Sequence, residues 1–130
     1  MGCAAVCLGQ KTASCHIEYE NQNQVDYESP GRVGVVGVVT DKAAAPVANA
    51  CVAVFTERGH HFVLGRKSAA TGKFFLPLLP EGAYRLVVKG EGFGVANMKF
   101  TKVSETYADS VLHVHMLARA VDVTSYIDSK

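Results

Sequence analysis

Apolar and polar residues alternate over short stretches along much of this 130-residue chain. The clearest stretch follows Gly82 and carries Tyr84, Leu86 and Val88 at every second position. Side chains two residues apart on a strand point to the same face, so these three are predicted to be buried. By the same alternation, Arg85 is predicted to be exposed. No stretch keeps the 3.6-residue period of a helix for long enough to compete with this pattern.

Six further apolar stretches are separated by residues that favour turns. They predict strands over residues 33–40, 49–57, 61–67, 74–76, 95–103 and 110–117. Seven short strands with turn residues between them are typical of an all-β sandwich. The first strand has apolar residues on both faces, which predicts that the N-terminal extension covers its outer side.

The turn residues and strands also form an ordered motif. Its first part is Gly37-x-Val39-x-Asp41, Pro46 and Ala50-x-Val52; its second part is Gly72-x-Phe74, Leu79-Pro80-x-Gly82-x-Tyr84-x-Leu86 and Gly92-Phe93. This order resembles the carboxypeptidase regulatory-like domain, one of the transthyretin-like or prealbumin-like sandwiches, over roughly residues 32 to 118. The resemblance implies a seven-stranded Greek-key β-sandwich of prealbumin-like type, usually a scaffold or binding module in bacterial exported proteins.

The N-terminal residues predict export. Residues 1–14 begin small and apolar but lack a basic start, so we interpret them as the remnant of a signal peptide that begins upstream. Residues 15–31 are assigned to an extension or linker, 32–119 to the sandwich and 120–130 to a C-terminal tail. The predicted location is periplasmic, cell-surface or secreted. Residues 12–15 loosely resemble a lipobox, which leaves a lipid anchor on Cys15 open.

Composition excludes several kinds of partner. The 13 basic and 12 acidic residues give a net charge of +1 without a basic stripe, which argues against nucleic-acid binding. No apolar run approaches the roughly 20 residues of a transmembrane helix. No cofactor is predicted, and the expected partner is an unidentified protein.

Four cysteines are present, and two of them, Cys3 and Cys7, lie within the predicted signal remnant. Cys15 and Cys51 would remain after its removal. We predict that they form a disulfide, because Cys51 points outward from its strand and the extension could lie across it.

Two surfaces are candidate sites. His113 and His115 project from one face of a strand and could bind a metal ion if His60, His61 or Glu57 supplied a third ligand; otherwise they are surface histidines. Alternation also places Phe55, Phe75 and Val87 on an outward face. They form either an exposed partner surface or a patch that the N-terminal extension covers.

Three functions follow, in order of preference. The first is a non-catalytic exported module for protein interaction or scaffolding. The alternative is a metal- or small-ligand-binding protein that uses the His113/His115 face. The third is an enzyme of the prealbumin-like superfamily, but no nucleophile elbow or zinc-protease motif is present. The Tyr-Arg-Gly-Ser ending of hydroxyisourate hydrolases and the Tyr and His spacing of intradiol dioxygenases are also not found in this sequence.

Overall fold

The computed structural model describes residues 13–19, 27–28, 35–76, 79–103, 111–118 and 125–128. This part of the chain contains nine β-strands. In chain order they are β1 (Tyr27–Glu28), β2 (Val35–Thr40), β3 (Cys51–Thr56), β4 (Phe62–Lys67), β5 (Lys73–Leu76), β6 (Gly82–Lys89), β7 (Ala96–Lys102), β8 (Leu112–His115) and β9 (Tyr126–Asp128). The signal remnant predicted for residues 1–14 lies outside the described residues, apart from residues 13 and 14.

The strands form two sheets. The five-stranded sheet has the order β1-β7-β6-β3-β4, and the four-stranded sheet has the order β5-β2-β8-β9. The pairs β1–β7 and β2–β8 are parallel, and the other pairs are antiparallel. The predicted all-β sandwich is therefore confirmed. The seven predicted strands correspond to β2 through β8. Two strands were not predicted: β1, from residues assigned to the extension or linker, and β9, from residues assigned to the tail.

The main core lies between the two sheets. Alternate residues of each strand point into it, as the period of two requires. Its fully enclosed side chains include Val39, Val52, Val54, Leu76, Leu86, Met98, Phe100, Leu112, Val114 and Met116. Tyr84, Leu86 and Val88 are all buried in this core, as predicted.

The residues of the sequence motif shape turns and fill the core. Asp41 Oδ1 accepts hydrogen bonds from the backbone N–H groups of Ala43 (2.8 Å) and Ala45 (2.9 Å), which closes the turn after β2. The Tyr84 hydroxyl donates to the carbonyl of Pro80 at 2.7 Å and fixes the turn before β6. Gly72 has a φ of +81°, and a Cβ there would lie 2.5 Å from the carbonyl oxygen of Val39. The motif residues therefore specify the fold, and a functional site has to be formed by other residues.

The prediction that Arg85 is exposed is wrong. Arg85 points away from the main core, but only 6% of its surface is accessible. The outer face of β6 is covered by residues 13–19, so alternation correctly assigned the face of Arg85 but not its environment. The described residues include no helix long and apolar enough to cross a membrane.

Candidate functional site

The outer face of the five-stranded sheet is covered by residues 13–19, here called the strap. The strap first runs beside the free edge of β4, where Ser14 pairs with Arg66 in antiparallel fashion. Lys67 N–H donates to the carbonyl of Ala13 at 2.8 Å, and Cys15 N–H donates to that of Gly65 at 3.1 Å. The strap thus begins as an added edge strand.

A disulfide anchors the strap to the sheet. Cys15 and Cys51 are bonded, with their Cα atoms 5.9 Å apart and a sequence separation of 36. That Cα separation lies within the usual limit of about 7 Å for disulfides. The sulfur of Cys15 is used in this bond, so the disulfide-bonded form cannot also carry a lipid there.

Beyond the disulfide, the strap covers a small second core. Ile17 and Tyr19 pack over Phe55, with the Tyr19 and Phe55 rings in an edge contact at a centroid distance of 5.2 Å. Tyr19 also stacks on His60, with ring centroids 3.8 Å apart. The strap residues that face the sheet are spaced by two, which is the spacing expected of an extended segment.

Phe55, Phe75 and Val87 were predicted to form either an exposed partner surface or a patch under the N-terminal extension, and for Phe55 and Val87 the second alternative holds. Phe55 and Val87 are 2% and 0% exposed beneath the strap. Phe75 lies on β5 of the other sheet and is 69% exposed. The alternation of each strand was interpreted correctly, but the three residues do not form one patch because they belong to two different sheets.

A polar network runs under the strap. Arg85 Nε donates to Glu57 Oε1 at 3.0 Å, and Arg85 Nη1 donates to Asn97 Oδ1 at 3.2 Å. Asn97 Nδ2 in turn donates to the Tyr19 hydroxyl at 3.0 Å. These bonds satisfy the charged guanidinium of Arg85, whose burial without partners would destabilise the folded state. They also tie the end of the strap to β6 and β7.

The outer face of the four-stranded sheet has no comparable cover among the described residues. We call it the open face; pairing of the strands places on it Val36, Val38, Thr40, Lys73, Phe75, His113, His115, Tyr126 and Asp128, and Val111 directly precedes β8, two residues before His113. Phe75 and Val111 are its most exposed apolar residues, at 69% and 44%. Residues 15–19 of the N-terminal extension cover the opposite sheet and not the outer side of β2, and the prediction for the rest of the extension lies outside the described residues.

The two histidines lie at one side of the open face. His115 Nε2 is 3.0 Å from Asp128 Oδ2, and the His115 ring stacks on Tyr126 with a centroid distance of 4.4 Å. The His113 and His115 rings are 6.4 Å apart. His60, His61 and Glu57, which were considered as third ligands, belong to the turn after β3 of the other sheet.

This arrangement offers little support for a metal site. Within the part of the chain that the structure describes, no three His, Cys, Asp or Glu side chains are placed to hold a metal ion. The carboxylate of Asp128 instead contacts His115. The pair is half-exposed, so solvent screens its attraction and its contribution to stability is small.

Sequence reasoning missed Tyr126 and Asp128. Both belong to β9, which pairs with β8 so that Asp128 is opposite His113 and Tyr126 is opposite His115. A weak signal was present, because Ile127 between them is an isolated apolar residue and is buried. Three residues are too few for alternation to be distinguished from a tail.

The comparison with known families agrees with this fold. The family model of the carboxypeptidase regulatory-like domain matches residues 34–116. The chain belongs to this family. The strap and β9 both lie outside the residues that the family model matches.

Solved structures extend the comparison to the fold. A Klebsiella pneumoniae 5-hydroxyisourate hydrolase aligns with a TM-score of 0.55 at 14% identity, covering 76% of this chain and 99% of the hydrolase. A 3-chlorocatechol 1,2-dioxygenase from Rhodococcus opacus 1CP aligns over 99% of this chain and 77% of its own, but with a TM-score of 0.39 and 10% identity. At 14% identity the hydrolase shows a shared transthyretin-like fold alone. No curated protein sequence is similar enough to count as a match.

Proposed function

We propose that this domain is a non-catalytic module of an exported bacterial protein and that it binds a protein partner through its open face. The observation that carries the proposal is the contrast between the two sheets. One outer face is covered by the strap, whereas the other leaves Phe75 and Val111 exposed. Exposed apolar residues that lie together on a sheet often mark a partner surface.

The composition of the open face indicates the chemistry of the partner. Phe75 pairs with Val36 across the sheet, and the half-buried Val38 continues this apolar area toward His113. Lys73 lies at the edge of the face beside Val38 and supplies a positive charge. The proposed partner is therefore a folded protein that presents apolar side chains to Phe75 and an acidic side chain to Lys73.

The use of the motif residues supports a non-catalytic role. Asp41, Gly72, Pro80 and Tyr84 serve turns or packing, and the histidine beside Asp128 is paired with no third ligand among the described residues. A fold shared with an enzyme does not transfer the chemistry of that enzyme. The second function considered from sequence, metal binding at His113 and His115, gains no specific observation in its favour.

Export is the part of the proposal that the disulfide supports. Disulfides persist mainly in oxidising compartments such as the bacterial periplasm or the extracellular medium. The test is peptide mapping without reduction of protein recovered from fractionated host cells. We expect the Cys15–Cys51 linked peptide in the exported fraction. Recovery of the protein only in the cytoplasm, with both thiols free, would contradict export.

The binding role is tested by comparing variants of the purified protein as bait. Phe75→Ala with Val111→Ala removes the exposed apolar side chains, and Val63→Ala is the matched control because Val63 is exposed on the five-stranded sheet. The bait is exposed to an extract of the exported fraction, and retained proteins are quantified by mass spectrometry. We expect at least one protein that the wild type and Val63→Ala retain and that the double variant loses by about tenfold or more. Equal retention by all three baits would contradict the proposal.

A further inference from the structure

The strap occupies its sheet in the way that an extended peptide ligand occupies a receptor. It adds to the free edge of β4 through main-chain hydrogen bonds, and it then inserts every second side chain into the outer face. Main-chain bonds to a sheet edge with pockets for alternate side chains are the two components of peptide recognition by β-strand addition. We call the receiving surface the strap groove; it consists of Cys51, Ala53, Phe55, Phe62, Val87 and Val95.

Gly65 on β4 is shaped for this occupant. The strap crosses β4 above Gly65, and a Cβ at that position would lie 2.5 Å from the carbonyl oxygen of Cys15. That distance is shorter than any normal contact, so only glycine lets the strap backbone approach. The groove therefore fits a backbone that passes over the sheet at this point.

The strap has a distinct pattern on the side that faces the sheet. Cys15 bonds to Cys51, Ile17 packs in the middle of the groove, and Tyr19 reaches Phe55 and Asn97. The groove thus holds an extended Cys-x-Ile-x-Tyr segment. The segment that fits it by construction is the strap of another copy of the same chain.

We propose that the strap groove is a peptide-binding site, and that reduction of the Cys15–Cys51 disulfide allows the strap of a second copy to replace the resident strap. Exchange of identical segments is a low-cost route to dimers because each contact in the exchanged form already exists in the monomer. Seven residues, 20–26, link the strap to β1. Seven residues in extended form reach at most about 25 Å, so a strap that leaves its own groove while β1 stays paired can enter only a groove within about that distance.

The chemical step is a thiol–disulfide exchange with a dithiol reductant. One thiolate of the reductant attacks the sulfur of Cys15, the more exposed of the pair, and Cys51 leaves as a thiolate that takes up a proton. The second thiol of the reductant then attacks the mixed disulfide and releases Cys15. Two electrons and two protons have passed to the protein, and the reductant has become a disulfide. The strap is afterwards held by its non-covalent contacts alone.

The first test measures recognition in trans by a synthetic peptide. The protein is the full chain with Cys3→Ser, Cys7→Ser and Cys15→Ser, which leaves Cys51 as its one thiol. The probe is a peptide of residues 13–19 whose cysteine carries a thionitrobenzoate group. The Cys51 thiolate displaces thionitrobenzoate, whose absorbance reports the rate. A scrambled peptide with the same composition is the matched control.

We expect the native peptide to react about tenfold or more faster than the scrambled one, which corresponds to about 1.4 kcal/mol of recognition. Replacing Ile17 or Tyr19 of the peptide by Ala should remove most of this preference. Gly65→Ala in the protein should also remove it, whereas Phe75→Ala on the open face should leave it unchanged. Equal rates for native and scrambled peptides, or no reaction with either, would overturn the peptide-binding site.

The second test measures exchange between copies. Wild-type protein is treated with dithiothreitol, and its mass is followed by size-exclusion chromatography with light scattering over a range of concentrations. We expect a monomer before reduction and, after it, a dimer whose fraction rises with concentration and falls when excess peptide 13–19 with Cys15→Ser is added. A reduced protein that stays monomeric throughout would overturn the exchange. This inference concerns the strap groove and does not depend on the function proposed for the open face.

Discussion

Removing the Cys15–Cys51 disulfide tests how firmly the strap is built into the domain. The bond closes a loop of 36 residues. In the chain-entropy treatment such a loop lowers the entropy of the unfolded chain by about 13 cal/mol/K, which stabilises the folded state by about 3.8 kcal/mol at room temperature. The expected effect of Cys15→Ala with Cys51→Ala is therefore a large part of the stability of a small domain.

The assay is equilibrium unfolding in urea, followed by circular dichroism for the oxidised wild type and the double variant. We expect the free energy of unfolding to fall by about 3–4 kcal/mol in the variant. A dithiol reductant is the control. It should lower the free energy of unfolding of the wild type to that of the variant, and it should leave the value for the variant unchanged. A loss below about 1 kcal/mol would show that the bond does not constrain the unfolded chain. A change in the stability of the variant on adding reductant would point to a second disulfide.

Three further substitutions, with Phe75→Ala as a control, test the packing. Leu86→Ala should lower the free energy of unfolding in urea by about 2–5 kcal/mol, because Leu86 is fully buried. Phe75→Ala on the open face should change it by less than about 0.5 kcal/mol. Equal losses for the two variants would mean that the register of β6 is wrong. Arg85→Ala should cost about 1–3 kcal/mol, since it removes the donor from Glu57 and from Asn97 Oδ1; a neutral result would show that the network is not formed in solution. Gly37→Ala should cost about 1–3 kcal/mol by thermal unfolding, because its Cβ would lie 2.5 Å from the carbonyl of Leu112 and 2.6 Å from the Phe74 ring; unchanged stability would refute this close packing.

Much of the fold could be predicted from local patterns. Tyr84, Leu86 and Val88 are buried because alternation fixes which side chains share a face, and Gly72 and Pro80 mark turns whose backbone geometry few other residues allow. These signals are contained within a few residues. They need no knowledge of which strands lie side by side.

The surfaces could be predicted only in part, because they depend on contacts between distant segments. Arg85, Phe55 and Val87 were placed on the correct faces, but only the position of the strap decides that these faces are covered. The pairing of Cys15 with Cys51 could be predicted, because setting aside Cys3 and Cys7 with the predicted signal remnant leaves one possible bond. The contact of Asp128 with His115 could not be predicted, because it depends on the pairing of β8 with β9, and the residues of β9 carry no strong pattern.

The central claim, that the open face binds another protein, is tested most directly by photocrosslinking in the host cell. A photoreactive benzoylphenylalanine replaces Phe75, Val111 or, as the control, Val63 on the other sheet. After irradiation we expect one adduct of the same mass from positions 75 and 111, containing one other protein, and none from position 63. The claim would be contradicted by an absence of adducts from the open face, by equal adducts from position 63, or by an adduct made only of two copies of this chain.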